Sequence, residues 1–126
     1  MKQSWKPGTV LYPLPAVLVS CGAAPEEYNM LTVAWIPVCP APPMCFISVR
    51  PERHSHAIIS RTGEFVINLT TRRLARAADW CGVRSGRDFD KFREMGLTAV
   101  PSEKVAAPLI AESPVNIECR VRQVLP

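Results

Sequence analysis

No apolar run in this 126-residue chain approaches the ~18 residues that a membrane-spanning helix requires. The opening MKQSWKPGTV lacks the apolar centre of a secretory signal, so a cytoplasmic location is the default expectation. No G-x-S-x-G, phosphate-binding P-loop or G-x-G-x-x-G occurs. A hydrolase working with its own side chains is therefore hard to build here. Histidine is scarce: His54 and His56 stand two apart, and a metal would need further ligands from elsewhere. The five cysteines form no C-x-x-C pair and are odd in number, which argues against a disulfide framework and against a zinc site. Most of them read as small buried hydrophobes.

What is present is a globular chain, 48% hydrophobic, of a length that suits one domain over residues 1–126. The net charge of +4 is concentrated. Residues 50–93 hold ten Lys and Arg against five Asp and Glu, and the rest holds five against six. Nucleic-acid binding would ask for a denser patch with interleaved aromatics. A small anion such as a phosphate needs only two or three of these cations, so no nucleic acid and no membrane is expected as partner. A merely solvated basic face is the plain alternative.

The chain centres on Tyr28–Arg53. Two apolar runs, Asn29–Trp35 and Met44–Val49, read as strands. They are joined by VCPAPPMC, whose prolines suit a rigid, non-repetitive loop. Thr9–Ser20 reads as a further strand, His54–Thr62 as a short helix stopped by Gly63, and Glu64–Leu69 as the clearest strand. A helix from Thr70 or Thr71 through Trp80, a loop at Cys81–Arg87, a short helix begun by Asp88 or Asp90, and an alternating strand at Asn116–Leu125 complete the pattern. The sum is a mainly β domain with short helical insertions, most simply a barrel. With no catalytic side-chain pair in view, a cofactor would have to carry any chemistry.

Six segments then carry a resemblance: N-x-x-T-x-A-W at 29–35, C-P-A-P-P at 39–43, I-S-V-R-P-E-R at 47–53, G-E-F-V-I-N-L at 63–69, S-G-R-D-x-D-K-F at 85–92, and A-P-L-I-x-E-S-P-V-N-I-E-C at 107–119. In this order the chain resembles the flavin reductase-like family, which includes flavoredoxin-type proteins. The resemblance implies a Greek-key split barrel that binds FMN near the interface of a homodimer, with NADH or NADPH as electron donor. It also implies that relatives continue past the last strand, so the 126 residues would be an incomplete version of the domain.

What the resemblance implies for the site follows residue by residue. Asn29, Met30, Leu31, Thr32, Ala34 and Trp35 would line the ring and ribityl chain. Ser48, Val49, Arg50 and Ser55 would hold the phosphate, with Ser55 near a helix start that favours anions. Ser85, Gly86 and Lys91 would add a second positive arm. Each has a plain alternative: a turn bond for Asn29, simple core for Trp35, surface charge for Arg50 and Lys91. The leading function is an NAD(P)H-dependent flavin oxidoreductase. The rivals are an electron carrier that keeps FMN and meets a redox partner protein, and a non-enzymatic module binding FMN or nucleic acid.

Overall fold

A computed structural model describes all 126 residues. The chain runs β1 (Val17–Cys21), β2 (Asn29–Val33), β3 (Val38–Pro40), β4 (Pro43–Cys45), α1 (His54–Thr62), β5 (Glu64–Leu69), α2 (Ala75–Val83), α3 (Lys91–Met95), β6 (Ala99–Val100), β7 (Leu109–Ile110) and β8 (Asn116–Arg120). Four strands form one antiparallel sheet in the order β2-β1-β5-β8, while β3-β4 and β6-β7 make two small hairpin-like pairs.

Both faces of the sheet are covered, which is why the strand sequences are so apolar. On one face Val17, Val19, Leu31, Val33, Phe65 and Ile67 pack together beneath Ile47, Val49 and Ile59. On the other, Leu18 and Met30 meet Ala77 and Cys81 of α2, Phe92 of α3, and Ile110. The period-2 alternation of a strand thus sends alternate residues of β1 into two separate cores. No helix is long and apolar enough to cross a membrane.

Several expectations are met. His54–Thr62 is a helix closed by Gly63, which takes the left-handed conformation at φ +68°, and Glu64–Leu69 is a strand. Asp90 caps α3 by accepting from the Arg93 amide at 3.2 Å.

Others are corrected. The strand expected over Thr9–Ser20 begins only at Val17, after Pro13 and Pro15 have passed without a donor to give. Of the strand expected over Met44–Val49, only Met44 and Cys45 are in one, as the end of β4. The proline-rich linker itself folds into β3 and β4, with Pro40 opposite Pro43, neither of which has an amide hydrogen to donate. Residues 46–50 then cross the sheet face as an irregular strap, held by Ile47 and Val49 rather than by a strand partner. Helix α2 starts at Ala75 and continues past Trp80 to Val83, because Cys81 carries on the buried stripe of Ala77 and Ala78. Strand β8 stops at Arg120, where its partner β5 begins at Glu64. Of the cysteines, only Cys21 and Cys81 are buried; Cys39 is exposed and Cys45 and Cys119 are half-buried.

One polar residue ties these parts together. The Asn68 side chain, fully buried, donates from Nδ2 to the Leu18 carbonyl at 3.0 Å and to Ser20 Oγ at 2.9 Å. Its Oδ1 accepts from the Ile110 amide at 3.0 Å and from Asn116 Nδ2 at 2.7 Å. Truncation leaves buried donors and acceptors on three other segments without partners, each costly in an apolar interior. Asn68→Ala is therefore expected to cost about 3 kcal/mol, read as a lower urea midpoint at unchanged slope.

Candidate functional site

A cleft of about 690 Å³ opens where β2 ends, between the strap and α2. Its volume lies in the range of roughly 300–1,000 Å³ usual for small-molecule sites. One wall is the strand end, with Leu31, Thr32, Val33, Ala34 and Trp35. The strap and the turn after it supply Ser48, Val49, Arg50 and Arg53. The opposite wall is Ala78, Asp79, Gly82 and Val83 of α2, and Thr70 and Thr71 stand at the end of β5.

Two hydrogen bonds set this geometry. Thr32 Oγ1 donates to the Ala78 carbonyl and seats α2 on β2. Arg53 donates to the Gly82 carbonyl at 2.6 Å, joining the start of α1 to the last turn of α2. A cation at a helix C-terminus is favoured by the helix dipole. Gly82 lies against Thr32, with its added Cβ 3.4 Å from the Thr32 Cβ, so the two walls meet closely at that point.

A second group gathers beside the first turn of α1. Asn29 Nδ2 donates to Ser55 Oγ at 2.7 Å, and both residues are buried. Gly86 presses against this pair: a Cβ there would fall 2.2 Å from Asn29 Oδ1 and 2.8 Å from His54 Cδ2. Lys91 is buried too and donates through Nζ to the Cys81 carbonyl at 2.9 Å. Burial, then the Arg87 and Lys91 cations, hold the His54 pKa below its usual value. Burial above all brings Lys91 down to about 8, with Arg53 pushing the same way and the Cys81 and Cys21 thiols opposing.

The residues expected at the site therefore divide. Leu31, Thr32, Ala34, Trp35, Ser48, Val49 and Arg50 line the cleft, and Trp35 stands at its rim, 38% exposed. Met30 points into the other core, against Leu18 and Phe92. Asn29, Ser55, Ser85, Gly86 and Lys91 belong to the group at the start of α1, with Ser85 Oγ accepting from the Arg87 amide at 3.2 Å. Arg53 was missed, although R-x-x-R just ahead of a helix signals two cations on one turn. Asp79, Gly82, Thr70 and Thr71 carried no such signal, since only the docking of α2 on β2 brings them to the cleft. No three His, Cys, Asp or Glu side chains cluster as metal ligands.

The buried Lys91 gives a pH signature. Between about 8 and its unfolded value of 10.5, the unfolded chain holds more protons at this site than the folded one, so stability rises with pH. Burial pushes Cys21 and Cys81 from 9.0 up to about 11, and burial with the neighbouring Cys45 pushes Cys119 up to about 12. Above pH 9 the unfolded chain sheds these protons first and stability falls. Under reducing conditions the summed contribution of these four groups to the unfolding free energy is expected to be greatest between pH 8 and 9, each group contributing a slope of at most about 1.4 kcal/mol per pH unit. Lys91→Met should abolish the rise on the acid side of that maximum and leave the fall above it.

Comparison with known proteins adds a family match: a flavin reductase like domain matches residues 9–126. An uncharacterized protein of Archaeoglobus fulgidus is 35% identical over 112 residues, covering 88% of this chain and 62% of that protein. The chain thus spans less than two thirds of that relative's length. Flavoredoxin of Desulfovibrio vulgaris (Miyazaki F) superposes with a TM-score of 0.91 at 35% identity, over 99% of this chain and 69% of that one. The FMN-binding domain of a flavin reductases-like enzyme from Shewanella baltica OS155 shares the fold, with a TM-score of 0.77 at 23% identity, over 84% of this chain and 56% of that one.

Proposed function

The chain belongs to the flavin reductase-like family, and from that premise we propose that its cleft holds FMN for electron transfer from a nicotinamide donor. The observation that carries this reading is the donor set of the cleft. Two arginines, Arg50 and Arg53, face the same space as the apolar wall of Leu31, Val33, Ala34 and Trp35. Such a site suits a flat, largely apolar ring that ends in a phosphate. Bound FMN would supply the redox chemistry, and NADH or NADPH the electrons.

The chain's own residues then bind and orient. Arg50, exposed and without an ion-pair partner, is the free cation for the phosphate. Arg53, already anchored on Gly82, adds charge from a fixed position. Ser48 and the strap backbone at Val49 offer further polar contacts, and Trp35 covers the ring edge from the rim. Behind this surface Asn29 holds Ser55 in the first turn of α1, Gly86 packs against Asn29 and His54, with Ser85 beside it in the chain, and Lys91 is tied to the last turn of α2. Asp79 on the opposite wall disfavours a second phosphate there.

We read the open sheet as part of a split barrel in a single domain, and the working unit as a homodimer. The exposed apolar side chains of Val38, Met44, Phe46, Val115 and Ile117 support a second copy as cover. Sedimentation at micromolar concentration is expected to give a species of twice 13.9 kDa; a monomer that still holds FMN would overturn this.

FMN added to the apo chain is expected to bind saturably, with its fluorescence quenched, and NADH or NADPH should bleach the bound flavin. Arg50→Ala should weaken FMN by roughly ten- to a hundredfold, the worth of one charge-assisted contact, with little change for riboflavin. Equal loss for both would place Arg50 in the fold rather than at the phosphate. The likeness to flavoredoxin favours one alternative, an electron carrier. In that case bleaching would stop at one turnover until a redox partner protein is supplied.

A further inference from the structure

Away from the cleft, two sulfurs meet. Cys45, at the end of β4, and Cys119, in β8, lie with Sγ 3.9 Å from Sγ although 74 positions separate them. Both pack with Ile47, Val49 and Val121 onto the face built by Phe65 and Ile67. The other thiols are placed differently: Cys21 and Cys81 are buried and Cys39 is exposed. No third ligand joins the pair to make a metal site.

A disulfide needs its sulfurs at ~2.05 Å, so closing the gap takes roughly 1.9 Å, within reach of side-chain rotation and a small shift of the hairpin. The hairpin can give: β3 and β4 pair only with each other and are largely exposed. Cys119 sits on a strand fixed by five register pairs to β5. One sulfur therefore sits on a strand of the main sheet and the other on a hairpin with no further strand partner.

We propose that Cys45 and Cys119 form a reversible intramolecular disulfide that fastens the strap at residues 46–50 to β8. The oxidant is a low-molecular-weight disulfide, RSSR. The Cys45 thiol loses its proton and attacks one sulfur of RSSR; the S–S bond breaks and one RSH leaves with that proton. Cys119 then gives up its proton and attacks Cys45 Sγ, and the second RSH departs. Two thiols are oxidised, one disulfide is reduced to two thiols, and atoms and electrons balance. Because burial holds the Cys119 thiol above its ordinary value, the second step is slow at neutral pH and accelerates with pH. The strap leads from Cys45 to Ser48, Val49 and Arg50 at the cleft, so the bond fixes one end of a cleft wall.

The test uses the full chain in defined ratios of oxidised to reduced glutathione. Peptide mapping without reduction is expected to show one linked pair, Cys45 with Cys119, at the loss of two hydrogens. The oxidised form should melt roughly 10 °C higher than the reduced form. Cys45→Ala and Cys119→Ala should each abolish that difference while the reduced melting temperature stays near wild type. Both cysteines still open to alkylation, when Cys39 is fully converted to its mixed disulfide, would overturn the proposal. A mapped bond with no rise in melting temperature would overturn the fastening. Mapping needs only the wild-type chain, so a variant that fails to fold does not remove the test.

Discussion

The buried amide of Asn68 uses both of its ends to hold separate stretches of chain in one place. Its nitrogen reaches the Leu18 carbonyl and the Ser20 hydroxyl of β1, and its oxygen collects the Ile110 amide and the Asn116 side chain. Ser20 in turn donates from its hydroxyl to the Pro108 carbonyl at 2.5 Å. In an interior of low effective dielectric such a network is stable only when every member is satisfied, and no buried side-chain polar atom is left without a partner. The long irregular segment before β7 is thereby pinned under the sheet, and α2 has a firm surface on which to dock.

The cleft inherits its shape from that docking. Helix α2 lies on β2 through Ala78 and Thr32, and its last-turn carbonyls at Cys81 and Gly82 accept from Lys91 and Arg53. Two cations are thus matched to a helix end rather than to carboxylates. The basic excess of residues 50–93 is therefore not one patch. Part of it is structural and internal, part of it, Arg50 above all, faces open space.

How much of this was legible in the sequence depended on how local the cause was. Strand β5 announced itself through EFVINL, α1 through its glycine stop, and the family motifs placed β2 and the strap beside one another. Arg50 and Trp35 could be assigned to the cleft from those motifs. The strap could not be told from a strand, because apolar alternation at Phe46–Val49 looks the same whether backbone or side chains do the holding. Lys91 reads as part of a second positive arm at the site, with surface charge as the alternative; its burial depends on the fold of α3 against Cys21 and Cys81, which no neighbouring residue encodes. Arg53 had a local cue in R-x-x-R, but its anchoring was hidden, since its partner is a carbonyl 29 positions away.

The strand order has a consequence for how the chain acquires its structure. Within the main sheet only β1 and β2 are close in sequence; β5 pairs with β1, and β8 with β5, across separations near the 48 positions that part Asn68 from both Ser20 and Asn116. Loop closure must precede each of these pairings, so formation of the sheet is governed by non-local encounters, of the kind that take milliseconds to seconds. During synthesis the β1–β2 hairpin can exist early, but its Leu18 and Met30 face stays bare until α2 has left the ribosome, and its cover is finished only by Phe92 and Ile110. Until then the nascent chain carries an unshielded apolar surface, and its yield in a cell depends on how long that surface waits for its cover.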